Sequence, residues 1–210
     1  MELWAHSLAY PVTALGPGRR VVLWVAGCAQ RCRGCITPGL WERTAGTKTS
    51  TSAVARQILA LATPLDGITI TGGEPFEQPT ALADLVDSLT RARPRWSVLV
   101  YSGQTLPGLR RRGRCAAALL ARTDVLVAGA FRLDRPPRHP LAGSGNQRVH
   151  FLTARGRALQ AAIDALPRNQ ANLGLDADGG DWVIGVMDPP SRAVLHTALH
   201  AQAAPGGDGR

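Results

Sequence analysis

Six apolar runs recur along the chain, each ending in a polar or glycine-rich turn and most followed by a helical pattern. They are Val21–Ala26, Gly67–Thr71, Ser97–Tyr101, Val125–Ala128, Arg148–Leu152 and Trp182–Val186. A strand that is apolar on both sides has no face to offer water, so such runs belong in a sheet covered by helices. Between them, Leu82, Leu85, Val86 and Leu89 share one helical face within Thr80–Arg93, behind Pro79. Ser52–Ala62 carries Val54, Ile58 and Leu61 at helical spacing, with Thr51 or Ser52 available as N-cap. Arg155–Leu166 and Ser191–Gln202 repeat the scheme with Leu159, Ala162 and Ile163, and with Val194, Leu195 and Leu199. Strand and helix alternation predicts an α/β fold, a partial (β/α)6 barrel of parallel strands with right-handed connections.

The 210 residues suit a single domain over 1–202, followed by a flexible C-terminal tail at 203–210. Asp134–Gly145, rich in proline and glycine, reads as a loop. No apolar stretch approaches a membrane span. The opening MELWAHSLAY lacks a basic n-region and a long apolar h-region, so a cytoplasmic location with reduced thiols is expected. The net charge of +9 comes from arginine, with Lys48 the single lysine among 24 basic residues. The cluster Arg110, Arg111, Arg112 and Arg114 has the chemistry to neutralise phosphates. However, there is no nucleic-acid-reading motif, and aromatics at 5% leave few stacking platforms. A solvated surface, or one facing an acidic protein, is therefore expected rather than a nucleic-acid partner.

Cys28, Cys32 and Cys35 form a C-x3-C-x2-C run on one loop. A structural zinc site takes four ligands, usually as two close pairs, and the remaining cysteine, Cys115, stands alone. A four-iron cluster normally takes four cysteines, so a run holding three leaves one iron open for another ligand. The alternatives are a zinc knuckle completed by His6 or His139, or a non-catalytic metal-binding or electron-transfer module. Cys115 reads as a small thiol with no part in a cluster.

The cysteine loop follows the first apolar run, Gly72-Gly73-Glu74-Pro75 the second, Tyr101-Ser102-Gly103 the third, and Gly129-Ala130-Phe131 the fourth. Loops at the carboxyl ends of parallel strands converge on one mouth, which puts an active site at that C-terminal rim. Two glycines let the backbone approach a bound molecule, and Glu74 offers a carboxylate to a cation such as an ammonium group. Trp24 and Phe131 read as core.

On these residues the chain resembles the radical S-adenosylmethionine superfamily. Gly16-Pro17-Gly18-Arg19, Gly34 inside the cysteine loop, Trp41, and Ser144-Gly145-Asn146-Gln147-Arg148 sharpen the likeness to the activating proteins of anaerobic ribonucleotide reductase, from about Gly16 to Pro189. The chain departs from that pattern at Ala128, where many relatives carry an acidic residue, and at Gly145, where they carry a second serine.

The resemblance implies that Cys28, Cys32 and Cys35 bind three irons of a 4Fe-4S cluster, and that S-adenosylmethionine chelates the fourth through its amino and carboxylate groups. One electron then splits the sulfonium bond to methionine and a 5′-deoxyadenosyl radical, which abstracts a hydrogen atom from a partner. It further implies that Gly34 and Ile36 lie near the adenosine, that Gly72, Gly73 and Glu74 hold the amino group, that Ser102 meets the ribose or carboxylate, and that Asn146 belongs to the site. Arg31 and Arg33 either offset the cluster charge or are simply solvated. Hydrogen-atom abstraction needs no general acid or base, so no catalytic side chain is assigned. The implied partners are a large glycyl-radical enzyme, foremost anaerobic ribonucleotide reductase, and a one-electron reductant such as flavodoxin or ferredoxin. A radical enzyme acting on a peptide or small metabolite is the second reading.

Overall fold

The computed structural model describes residues 1–175 and 181–201. The expected tail at 203–210 lies outside them. Seven strands form one sheet: β1 (Glu2–Val12), β2 (Arg20–Val25), β3 (Thr47–Ser50), β4 (Gly67–Gly72), β5 (Ser97–Ser102), β6 (Val125–Ala128) and β7 (Arg148–Phe151). Their order is β3-β1-β2-β4-β5-β6-β7. The helices are α1 (Thr51–Leu59), α2 (Pro79–Ala92), α3 (Leu106–Arg110), α4 (Arg114–Ala121), α5 (Ala154–Ala158), α6 (Gln160–Asp164) and α7 (Pro189–Ala201). A separate hairpin pairs β8 (Ala171–Leu175) with β9 (Asp181–Gly185). No helix among the described residues is long and apolar enough to cross a membrane.

Among the described residues, parallel pairing runs through β2, β4, β5 and β6 only. β1 runs antiparallel to both β2 and β3, and β7 runs antiparallel to β6. The sheet is open, ending at β3 and β7, so the expected array of six parallel strands is met in its four central members. A parallel return needs a crossover long enough to span the sheet, usually a helix. The connection from β6 to β7 carries no helix, only a loop rich in proline and glycine, and the chain comes back antiparallel. The last apolar run is β9, which pairs with β8 outside the main sheet.

Side chains alternate across the strands, and both faces are buried. Val21, Leu23 and Val25 face the helix layer, where they join Leu82, Leu85, Val86 and Leu89 of α2. Each fully buried leucine there contributes about 1.5–3 kcal/mol. Val22 and Trp24 face the opposite way, packing with Val12, Leu15 and with Ile184 and Trp182 of β9. Leu99, Val125 and Val127 continue that second face under Leu141 and Ile163.

The N-cap of α1 is Ser50, whose hydroxyl accepts from the Ala53 amide at 3.1 Å. This is one residue earlier than expected, because the Thr51 hydroxyl donates to Asp84 instead. The helix read over Arg155–Leu166 is broken at Leu159 into α5 and α6.

At the amino ends of β2, β4 and β5, the Arg20 side chain is 1% exposed. Its guanidinium donates to Thr69 Oγ1 at 2.6 Å, Ser97 Oγ at 2.9 Å, and the carbonyls of Ile68 at 2.6 Å, Ser97 at 3.0 Å and Pro17 at 3.3 Å. One charged side chain thereby straps three strands together at the end opposite the rim. Burial lowers its pKa to about 10, against smaller opposing effects of Tyr101, Asp124 and Asp66.

Candidate functional site

The cysteine loop leaves β2 and is pinned from several sides. The amides of Gly27 and Cys28 donate to the carbonyls of Leu40 and Trp41 at 2.9 and 2.8 Å, and the Ala29 amide donates to Glu77 Oε1 at 2.7 Å. Thr37 Oγ1 donates to the Gly72 carbonyl at 3.2 Å, and the Cys35 amide closes a turn onto the Cys32 carbonyl at 3.1 Å. All three thiols are free and half-buried. Burial pushes the Cys28 thiol up, with Glu74 and Glu77 adding to it against the loop amides of Gln30 and Arg31. A bound cation would reverse that balance and favour the thiolate.

Among the described residues, neither histidine offered for a zinc knuckle forms a ligand group with the thiols. His6 Nδ1 bonds the Ala45 carbonyl at 2.8 Å, while His139 Nδ1 accepts from the Leu141 amide at 3.1 Å and its Nε2 lies 3.4 Å from Asp164. Among the described residues, no three His, Cys, Asp or Glu side chains converge as ligands of a single metal ion. Three free thiols on one pinned loop are a donor set suited to an iron–sulfur cluster, whose several irons are each served by one cysteine. Arg31 is already matched: it pairs with Glu42 and lies over the Trp41 ring at 5.8 Å. Arg33 is exposed.

The Gly72-Gly73-Glu74 turn packs against the start of the cysteine loop. Gly73 N donates to Val25 O at 2.7 Å, and Glu74 N donates to Gly27 O at 2.8 Å. A Cβ at Gly73 would stand 2.3 Å from the Gly27 carbonyl oxygen, and one at Gly72, whose φ is +104°, 2.5 Å from that of Val25. The close approach that requires these glycines is therefore made by the chain's own backbone.

The Glu74 side chain is 1% exposed. Its Oε1 accepts from the Phe76 amide and the Ser102 hydroxyl, both at 2.9 Å; its Oε2 accepts from the Gly103 amide at 2.9 Å and Gln30 Nε2 at 3.1 Å. Burial raises its pKa, against the lowering effect of these hydrogen bonds.

These segments meet at a cavity of about 260 Å³ on the carboxyl rim. Cys28, Cys32, Cys35, Ile36, Gly72, Gly73, Glu74 and Ser102 line it; Gly34 and Asn146 do not. Ile36 is 63% exposed at the mouth. Gly34 lies beside the Leu133 side chain, which a Cβ there would meet at 3.3 Å. The Ser102 hydroxyl is committed to Glu74 and accepts from the Gln104 amide at 3.0 Å. Asn146 ties two loops together, donating to the Ala130 carbonyl at 2.8 Å and accepting from Ser144 Oγ at 3.0 Å. Its neighbour Gln147 does line the cavity, donating to the Gly129 carbonyl at 3.0 Å. Trp24 and Phe131, read as core, are partly buried and also face it.

Sequence reasoning did not single out Gln30 or Thr37, and named Tyr101 and Gln147 only as members of the turn after the third apolar run and of the Ser144–Arg148 segment. Their position between or beside the cysteines and rim turns was visible, but their partners depend on how loops from different strands meet. Among the described residues the buried Tyr101 hydroxyl has no hydrogen-bond partner, and burial raises its pKa.

A mixed sheet with four parallel central strands and a three-cysteine loop at their carboxyl rim defines an iron–sulfur class of α/β protein, and the family model described as 4Fe-4S single cluster domain matches residues 14–150. Relatives named anaerobic ribonucleoside-triphosphate reductase-activating protein narrow this. The one from Escherichia coli (strain K12) is 31% identical over 151 residues, covering 68% of this chain and 96% of that protein. The one from Vibrio cholerae is 29% identical over 151 residues (69% and 96%), and that of Enterobacteria phage T4 is 27% identical over 137 residues (64% and 85%). The chain belongs to the 4Fe-4S single cluster domain family and, within it, to the family of anaerobic ribonucleoside-triphosphate reductase-activating proteins. Residues after 150 lie beyond the family match, yet Val183, Ile184, Val186 and Met187 form part of the cavity wall.

Proposed function

We propose that this protein is a radical S-adenosylmethionine enzyme that installs a glycyl radical on an anaerobic ribonucleotide reductase. The observation that carries this reading is the C-x3-C-x2-C loop hydrogen-bonded to a Gly-Gly-Glu turn at the mouth of a rim cavity. Cys28, Cys32 and Cys35 would hold a 4Fe-4S cluster. When bound, that cluster supplies the electron that cleaves S-adenosylmethionine to methionine and a 5′-deoxyadenosyl radical, which abstracts the partner's hydrogen atom.

The chain's own residues bind, orient and exclude water. Gly72, Gly73 and Glu74 serve the amino group of S-adenosylmethionine, while Gly34 and Ile36 flank its nucleoside. Ser102 keeps the Glu74 carboxylate aimed, and Asn146 holds the loop after β6 in place. Trp24, Tyr101 and Ile184 line the inner cavity with apolar surface, which keeps solvent from a reactive radical. We read the four parallel strands and their helices as the wall of a partial barrel, within a single domain, in the cytoplasm. The open rim is completed by the reductase, and an acidic one-electron carrier such as flavodoxin or ferredoxin suits the net charge of +9.

The test is anaerobic reconstitution with iron and sulfide, reduction in the presence of S-adenosylmethionine, and incubation with the reductase encoded in the same genome. The expected results are 5′-deoxyadenosine release and a glycyl-radical signal on the reductase. Release of 5′-deoxyadenosine without that signal would redirect the reading to a peptide or metabolite substrate. Bound zinc, or a cluster that reduces without cleavage, would leave a non-catalytic metal module.

A further inference from the structure

An ionised carboxylate offers about four lone-pair sites, and all four of Glu74 are taken by donors from within the protein. A ligand amino group therefore reaches this carboxylate only by replacing one of them. The Phe76 and Gly103 amides are backbone groups set by the turn after β4 and the end of β5. Ser102 is 4% exposed and held in turn by the Gln104 amide. Gln30 differs: its side chain reaches across from the cysteine loop, and its bond to Oε2, at 3.1 Å, is the longest of the four. Its amide rests against Gly103, where a Cβ would stand 2.3 Å from Gln30 Oε1.

We infer that Gln30 is a positioning residue that holds the place of the ligand's amino group on Glu74 and yields Oε2 when S-adenosylmethionine arrives. The inference rests on the function proposed above. The loop backbone stays anchored when the side chain leaves, because the Ala29 amide is held separately by Glu77 at 2.7 Å. Since Gln30 lies between Cys28 and Cys32, the exchange couples arrival of the amino group to the loop that carries the thiolates. Until it is displaced, the placeholder keeps part of the population closed to the ligand and weakens apparent affinity by that fraction.

Calorimetric binding to the anaerobically reconstituted, unreduced protein tests this. Two ligands are compared: S-adenosylmethionine, and 5′-methylthioadenosine, which keeps the nucleoside and sulfur but lacks the amino acid part. Gln30→Ala should tighten S-adenosylmethionine by about tenfold, about 1.4 kcal/mol, and leave 5′-methylthioadenosine unchanged. Gly103→Ala keeps the amide that serves Glu74 while its new Cβ evicts the Gln30 amide, so it should move affinity in the same direction. Equal or weaker S-adenosylmethionine binding in both variants overturns the placeholder role. Tightening of both ligands alike overturns it too, by showing that the mouth merely widened. Wild-type protein that binds no S-adenosylmethionine fails the functional reading itself, and this inference with it.

Discussion

Replacing Arg20 by methionine removes a buried charge and strands five acceptors, so two large effects oppose each other and the sign is informative. Burial that brings the guanidinium down to about 10 corresponds to a cost of roughly 3 kcal/mol for the charged form at neutral pH. Against this stand five hydrogen bonds from a charged donor, to Thr69, Ile68, Pro17 and twice to Ser97. Such bonds are each worth about 1.5–3 kcal/mol, so the hydrogen bonds win. The Thr69 hydroxyl keeps its own bond to the Leu15 carbonyl at 2.9 Å, which limits the loss. Arg20→Met should cost about 3–5 kcal/mol, the net of buried acceptors stranded at about 1–3 kcal/mol each over the relieved cost of the buried charge, and lower the melting temperature by about 6–20 °C for a chain of this size. Arg20→Lys, with a single donor centre, should fall between. The folded state binds fewer protons than the unfolded chain only from about pH 10 up to the ordinary arginine range. The Arg20 contribution therefore rises with pH across that window and is flat near neutrality, so circular-dichroism melts from about pH 6 to 9 should give one constant difference. A methionine variant melting at or above wild type would refute the strap.

Glu74→Gln keeps the shape but presents an NH2 group to donors, stranding two of them, and should cost about 2–4 kcal/mol in urea unfolding. Because burial raises the Glu74 pKa, the folded protein holds that proton more tightly than the unfolded chain, and this contribution to stability declines as pH rises from 4.5 to the raised value. The variant should lack that decline; an unchanged pH profile would contradict it. Gly73→Ala drives a Cβ to 2.3 Å from the Gly27 carbonyl oxygen, backbone against side chain with no soft partner, and should cost about 1–3 kcal/mol and reduce iron uptake. A wild-type melt for that variant would show that the turn relaxes freely. Cys28→Ser, Cys32→Ser and Cys35→Ser should each abolish cluster absorbance after reconstitution, whereas Cys115→Ser, at an exposed thiol, should leave iron content unchanged. Loss of iron on the Cys115 change would redraw the ligand set.

The four central strands were legible because a continuous apolar run can be satisfied only between two covered faces. Val125–Ala128 falls on β6 residue for residue. β1 was not, since its mixture of Trp4, His6, Ser7 and Pro11 follows no strict period, and its burial is equally mixed. Direction was hidden as well: Arg148–Phe151 is strand-like whichever way it runs, and only the helix-free connection before it reverses it. Within the site, residue types pointed to the cysteine loop and the Gly-Gly-Glu turn, and both line one cavity. What sequence could not display was the neighbour each group would meet. The twin glycines answer to Gly27 and Val25, and the Ser102 hydroxyl answers to Glu74, because those contacts arise between strands far apart in the chain.

The cavity draws its lining from Leu15 to Arg192, with part of one wall supplied by the hairpin region that the family match does not reach. During translation at about 5–20 residues per second, the segment from Val183 onward is made roughly 7–30 s after Cys35. The sulfurs thus leave the ribosome well before that wall does. For that interval the cysteine loop lacks the wall that later stands beside it.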